Sequence, residues 1–216
     1  MEKDEEFYQK LFAGMMLAAT AGALDAYSYL YNGGVFAGLQ TGNLILMGIH
    51  IGSGQFSQAG LELFSAVMFM LGVFIMRVIQ QHYPSEIALK RQELTLIYEI
   101  IMFAAVAFLA PVLPRLIITG LLSIAAAAQL QEFRMLKGKP FTSLMMTGNI
   151  RTFAESGFDF LTTGDQKARA TAGKMSLILL SFVIGAVLSG FFLPYLGAKT
   201  ILISAGILLI TLIFGR

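Results

Sequence analysis

"FAGLQTGNLILMG", Phe36 to Gly48, is echoed by "FTSLMMTGNIRTF", Phe141 to Phe153, where Thr41-Gly42-Asn43 returns 106 positions later as Thr147-Gly148-Asn149. A fixed-period echo is a sign of an internal repeat. Here the echo is a polar tripeptide set inside two apolar stretches. Working outward at the same offset, Gly14 meets Gly120, Gly22 meets Ala128 and Asp25 falls on Gln131. Further on, "FMLGVF" (Phe69 to Phe74) matches "FVIGAV" (Phe182 to Val187) at an offset of 113. The chain therefore reads as one membrane domain over 1–216, built from two halves at about 11–113 and 115–214.

The composition requires a bilayer. Of 216 residues, 56% are hydrophobic and only 13% charged, with a mean hydropathy of +0.74; an ordinary soluble domain carries about 25% charged residues. Six apolar runs are long enough to cross a hydrocarbon layer, at about 11–31, 58–80, 94–113, 115–133, 175–193 and 198–214. Two weaker segments, 35–51 and 141–158, carry the Thr-Gly-Asn phrases. "MEKDEEFYQK" is acid-rich and mixed in charge, so the first run is expected to be a retained span and not a leader. The absence of cysteine excludes disulfides and thiol chemistry. No basic cluster with interleaved aromatics points to nucleic acid, and the net charge of +2 is uninformative.

The fifteen Lys and Arg test whether the weak segments cross, because cytoplasmic loops collect them. Eight crossings split the loop cations seven to seven, which is no signal. Letting both phrase segments enter and leave by one face gives six spans and a split of thirteen to two, with both termini cytoplasmic. A seven-span alternative gives eleven to four. The expected fold class is all-α, a polytopic helical membrane protein of two inverted repeats, each of three spans plus a short interrupted or re-entrant Thr-Gly-Asn helix.

Non-helical backbone at membrane depth must be buried in protein or line a cavity, since unsatisfied amides and carbonyls cost several kcal/mol there. Glycine permits the turn, and Thr and Asn side chains can cap the amides at a helix start. Gln40, Thr41, Asn43, Thr147 and Asn149 are thus candidate contacts of a midplane site, and the competing reading makes them helix-packing contacts. Asp25, two-thirds along the first span, is too costly to face lipid; it is read as a cation site, a proton relay or the partner of Arg151. Arg151 stands where the first repeat has Ile45, a fixed charge for selectivity or the start of an i, i+4 pair with Glu155. Gln131 joins the candidates as the repeat equivalent of Asp25. Glu99 lies five residues inside a hydrophobic run, and snorkelling and function both remain open for it.

"AGALDAYSYL…GGVFAGLQTGNLILMG" followed by "AAAAQLQEFR…FTSLMMTGN" resembles the YoaK-like family of bacterial integral membrane proteins, a family of unknown function. The resemblance covers nearly the whole chain and is sharpest from Gly22 to Gly48. It implies a multi-pass protein of the bacterial inner or plasma membrane and supplies no substrate.

No nucleophile elbow, phosphate loop or zinc-protease helix appears, and His50 and His82 have no metal-site spacing. No enzyme, metal or cofactor is therefore expected. The expected partners are the lipid bilayer, a small solute or ion of unknown identity, and a second copy of the chain. The expected activity is that of a small-solute secondary transporter or channel; the alternative is a non-transporting membrane assembly or regulatory protein in which the repeated segments are packing elements.

Overall fold

Small residues decide how closely these helices approach, and they sit where the two halves interlock. The computed structural model describes residues 8, 10–83, 88–136 and 139–215. Lys3, Lys137 and Arg216, counted above for orientation, and part of the 77–92 loop region lie outside them. The helices are α1 (Leu11–Tyr31), α2 (Gln40–Gly52), α3 (Phe56–His82), α4 (Ala88–Leu109), α5 (Arg115–Glu132), α6 (Met146–Thr163), α7 (Gln166–Leu196) and α8 (Leu202–Phe214). A 3-10 turn, Gly197–Ile201, joins the last two, and a two-residue antiparallel pair, β1 (Met135–Leu136) with β2 (Lys139–Pro140), precedes α6.

All six apolar runs are helical, and both phrase segments become helices that begin at the phrase itself. Among the described residues, four stretches are long and apolar enough to span a membrane: Leu11–Tyr31, Phe56–His82, Lys90–Leu109 and Gln166–Phe214, the last containing both α7 and α8. At 13 residues, α2 extends about 20 Å, too short to cross a layer of roughly 30 Å alone. Local signals set the ends. Asp165 Oδ1 accepts the Lys167 amide at 2.8 Å to cap α7, and Gly164 ends α6 in the left-handed region at φ 71°.

The packing repeats itself under exchange of the halves. α1 lies along α7 as α3 lies along α5; α2 covers α3 as α6 covers α7; α8 packs on α1 as α4 packs on α5. α4 and α8 close the set by packing on each other. The two main crossings need glycine. A Cβ on Gly22 would strike the Phe182 carbonyl, one on Gly185 would strike that of Ala19, and one on Gly72 would come within 2.7 Å of the Ala127 side chain. Small residues let backbones meet this closely, which drives helix association in lipid, where apolar burial alone cannot.

Contacts along the helices also fix their relative directions. Ser65 meets Ser123 and Gln80 meets Gln131, so α3 and α5 run the same way. The Ala19–Gly185 and Ala23–Ser189 contacts make α1 and α7 parallel. By contrast Gln129 reaches Leu17 while Asn32 reaches Thr119, so the equivalent helices α1 and α5 are antiparallel.

α1 is the most enclosed of the long apolar helices, in a core with Leu96, Phe103, Leu122, Ile201 and Leu208. The outer faces present Phe74, Ile101, Phe108, Val187 and Phe191, an apolar surface suited to lipid. Gly185→Val should cost about 1 to 3 kcal/mol through overpacking against the α1 backbone; Gly190→Val, where a Cβ meets nothing within 4 Å, should be near neutral. Thermal unfolding of the two variants in detergent checks this, and equal melting temperatures would contradict the crossing.

Candidate functional site

Asp25 does not face an arginine; it faces backbone. After α1 ends at Tyr31, Gly33 and Gly34, at φ 89° and 78°, reverse the chain, and the segment 35–39 folds back into the bundle. Positive φ at two consecutive positions is inexpensive only for glycine. The segment reaches the level of Asp25, six residues and about 9 Å back from the end of α1. There Asp25 Oδ1 accepts the amides of Gly38 at 2.6 Å and Leu39 at 3.4 Å. Ser28, one turn later on the same face, accepts the Ala37 amide at 2.9 Å. The side chain of Tyr29 stacks on Phe36 with centroids 4.7 Å apart.

Asn43 secures the same segment from its other end. Its Oδ1 accepts the Phe36 amide at 2.9 Å, and its Nδ2 donates to the Phe36 carbonyl at 2.8 Å, to Gln40 Oε1 at 2.9 Å and to Ser65 Oγ at 3.0 Å. Gln40 donates to the Ala37 carbonyl at 2.8 Å. Ser65 of α3 continues the network to Ser123 of α5 at 2.9 Å. Asp25, Gln40 and Asn43 are therefore brought together with Ser28, which the helical spacing puts on the Asp25 face, and with Ser65 and Ser123, which the sequence did not single out. Their only sequence signal is small polar residues in apolar spans.

The second phrase repeats the latch more loosely. Asn149 donates to the Thr142 carbonyl at 3.3 Å, seven residues back as Asn43 is from Phe36. Gln129 donates to Ser143 Oγ at 2.8 Å and to the Leu17 carbonyl at 3.1 Å, so Gln129 is the α5 side chain that holds this loop. Gln131 turns instead to Gln80, near the buried pair of Glu132 with Arg91. The register differs because the link 133–145 is longer than 32–39 and carries the β1–β2 pair, so the offset that aligns the phrases misaligns the helices before them.

The two loops touch. A Cβ on Gly38 would collide with Leu144, its equivalent at the 106-residue offset, and would lie 3.3 Å from both Asp25 oxygens. Asp25 is 5% exposed and its Oδ2 has no hydrogen-bond partner. Thr41 and Thr147 are exposed on the first turns of α2 and α6, away from this cluster. Arg151 is also exposed and pairs with Glu155 at 3.6 Å, so it does not reach Asp25. His50 binds Glu62 at 2.6 Å, fastening the end of α2 to the start of α3.

Asn43→Ala removes four contacts to a buried loop and should lower stability by about 2 kcal/mol. Thr41→Val, on an exposed position, should change it by less than about 0.5 kcal/mol. Melting temperatures in detergent read both; a neutral Asn43→Ala would remove the latch.

No solved structure matches the chain. The UPF0700 transmembrane protein YoaK of Bacillus subtilis (strain 168) is 25% identical over 181 residues, covering 80% of this chain and 79% of that protein. A family model described as a protein of unknown function (DUF1275) matches residues 13–214, from the first turn of α1 to the end of α8. With that match running over every helix that builds the Asp25 cluster, the chain belongs to the DUF1275 family of transmembrane proteins.

Proposed function

We propose that the protein is a small-solute secondary transporter of the cell membrane, whose coupling carboxylate is Asp25 at the seam between two re-entrant loops. The observation that carries this reading is the state of that carboxylate. One oxygen is fixed by the Gly38 and Leu39 amides; the other is buried without a partner where the loops of the two halves meet. A buried charge with one coordination position left open is suited to taking up and releasing a cation or proton. Discontinuous helices that start near the midplane are the usual way transporters build such a site.

The proposed layout is six spans in two inverted halves. It is supported by the antiparallel run of α1 and α5. The end of α1 also lies beside the starts of α3 and α5, through Asn32 to the Arg115 carbonyl and Gln58 to the Gly33 carbonyl. On that layout α2 returns to the face from which the chain entered, and α6 does the same on the opposite face. Cation placement then puts both termini in the cytoplasm. No enzymatic role is proposed.

A second reading, a membrane assembly or regulatory protein, is favoured by one specific fact: Asn43 and Asn149 spend their side chains on loop backbone.

Single cysteines at His50, Gln55, His82 and Gln166, probed in intact cells with an impermeant maleimide, test the layout. Labelling confined to His50 and Gln55 is expected; labelling at Gln166 would overturn it. For the activity, protein in liposomes carrying a pH-sensitive dye is challenged with solute pools under an imposed gradient. Asp25→Asn should abolish any solute-dependent proton or Na+ movement while keeping the wild-type elution profile. Flux that persists in Asp25→Asn would remove Asp25 from coupling, and a wild type inert to every pool would favour the assembly reading.

A further inference from the structure

Glu99 has no use in the Asp25 cluster, yet among the described residues it is a fully buried carboxylate with both oxygens unpartnered. It lies on the inward stripe of α4 with Leu96, Phe103 and Val106. α4 packs on α5, on the 3-10 turn and on α8. α8 contains no charged residue. On the 3-10 turn Lys199 is exposed, and on α5 Arg115 is exposed at the first position while Glu132, at the last, is bound to Arg91. On α4 itself Lys90 and Arg91 stand more than two turns away, Arg91 being held by Glu132 and the Tyr83 carbonyl; Glu93 lies between, and Tyr98 is adjacent. Across from α4, Arg77 and His82 of α3 are exposed. Among the described residues, no element packed against α4 therefore offers Glu99 a fixed cation.

Two further features lie on the elements around α4. Thr200 and Ser204, on the 3-10 turn and α8, are fully buried with hydroxyl oxygens that also lack partners. In addition, a groove of about 820 Å³ runs between α3, α4 and α5, from Tyr83, Lys90 and Arg91 at the start of α4 to Thr95 and Tyr98. Thr95 is one helical turn before Glu99. An intramembrane carboxylate has to be neutralised by something. Among the described residues no cation meets Glu99, and the groove, which Glu99 does not itself line, ends beside it at Thr95 and Tyr98.

We propose that Glu99 is an exchange site for one monovalent cation, a proton or Na+, loaded through the groove between α3 and α4 and separate from Asp25. The bound cation neutralises the carboxylate while the helices are packed as they are here. Release requires water or a competing cation to enter along the groove.

Dicyclohexylcarbodiimide tests this directly on the purified full-length protein. The lipid-soluble reagent reacts with a protonated carboxyl: the acid proton goes to one nitrogen, the carboxylate oxygen adds to the central carbon, and acyl migration leaves a stable N-acylurea with nothing expelled. Peptide mass mapping should find the adduct on Glu99, with a yield falling several-fold as pH rises from about 5.5 to about 8.5. Replacing choline by Na+ at constant pH distinguishes the cargo: suppression identifies Na+, and indifference with the pH dependence kept identifies the proton. Absence of an adduct at every pH overturns the proposal. So does an adduct whose yield ignores both pH and Na+, which marks a permanently protonated structural carboxyl. Glu99→Gln should lose the adduct and keep its melting temperature; if that variant does not fold, the wild-type map still decides. Asp25→Asn should leave the Glu99 adduct in place, so this outcome is independent of the transporter reading.

Discussion

The structure depends on satisfying four consecutive backbone amides inside the helix bundle. From Phe36 to Leu39 the chain is not helical, and each amide has a side-chain acceptor: Asn43 for Phe36, Ser28 for Ala37, and Asp25 for Gly38 and Leu39. An unpaired group in hydrocarbon costs several kcal/mol, so without these acceptors the segment would be driven out to the interface. α2 would then start outside the bundle and the contact of Gly38 with Leu144 would be lost. Asn43 is placed to do its share because it lies in the first turn of α2, where its side chain points back over the chain that precedes it.

This demand explains the repeated phrase better than solute contact does. In both halves the Asn reaches a carbonyl seven residues back, and in both the Thr faces outward. Thr41 and Thr147 therefore take no part in the Asp25 cluster. Gly42 is the small residue that lets Phe36 and Leu39 lie against the first turn of α2, whereas a Cβ on its repeat equivalent Gly148 would meet nothing within 4 Å. Around this unit the long helices interlock by close backbone approach at Gly22, Gly72 and Gly185. Each half supplies the partner helix for the other, so neither half has a complete interface alone.

Much of this was legible because apolar length and a repeated phrase are local properties. The six long runs, the two weaker segments and the start of a helix at each phrase follow from them. The holders of the loops were less legible. Ser28, Ser65, Ser123 and Gln129 pair with backbone or with one another across 9 to 112 positions, and a backbone amide carries no side-chain signature. Gln131 was favoured over Gln129 because one offset was carried through a link whose length differs between the halves. Arg151 was weighed as a partner for Asp25, but with α6 packed on α7 its side chain is exposed beside Glu155.

The halves pack alike yet differ in charge where their loops are held. At corresponding places one loop is held by a carboxylate and the other by the neutral Gln129, which needs no counter-ion. Asp25 is partly compensated already, since two amides and the positive end of α2 face its Oδ1. On the proposed transporter reading, a cation bound there competes with contacts that hold the loop, so occupancy and loop position are linked. Glu99 has no such compensation and no loop to hold. On the proposal made above, a cation at Glu99 exchanges without disturbing the seam, whereas a change at Asp25 is felt where the two halves touch.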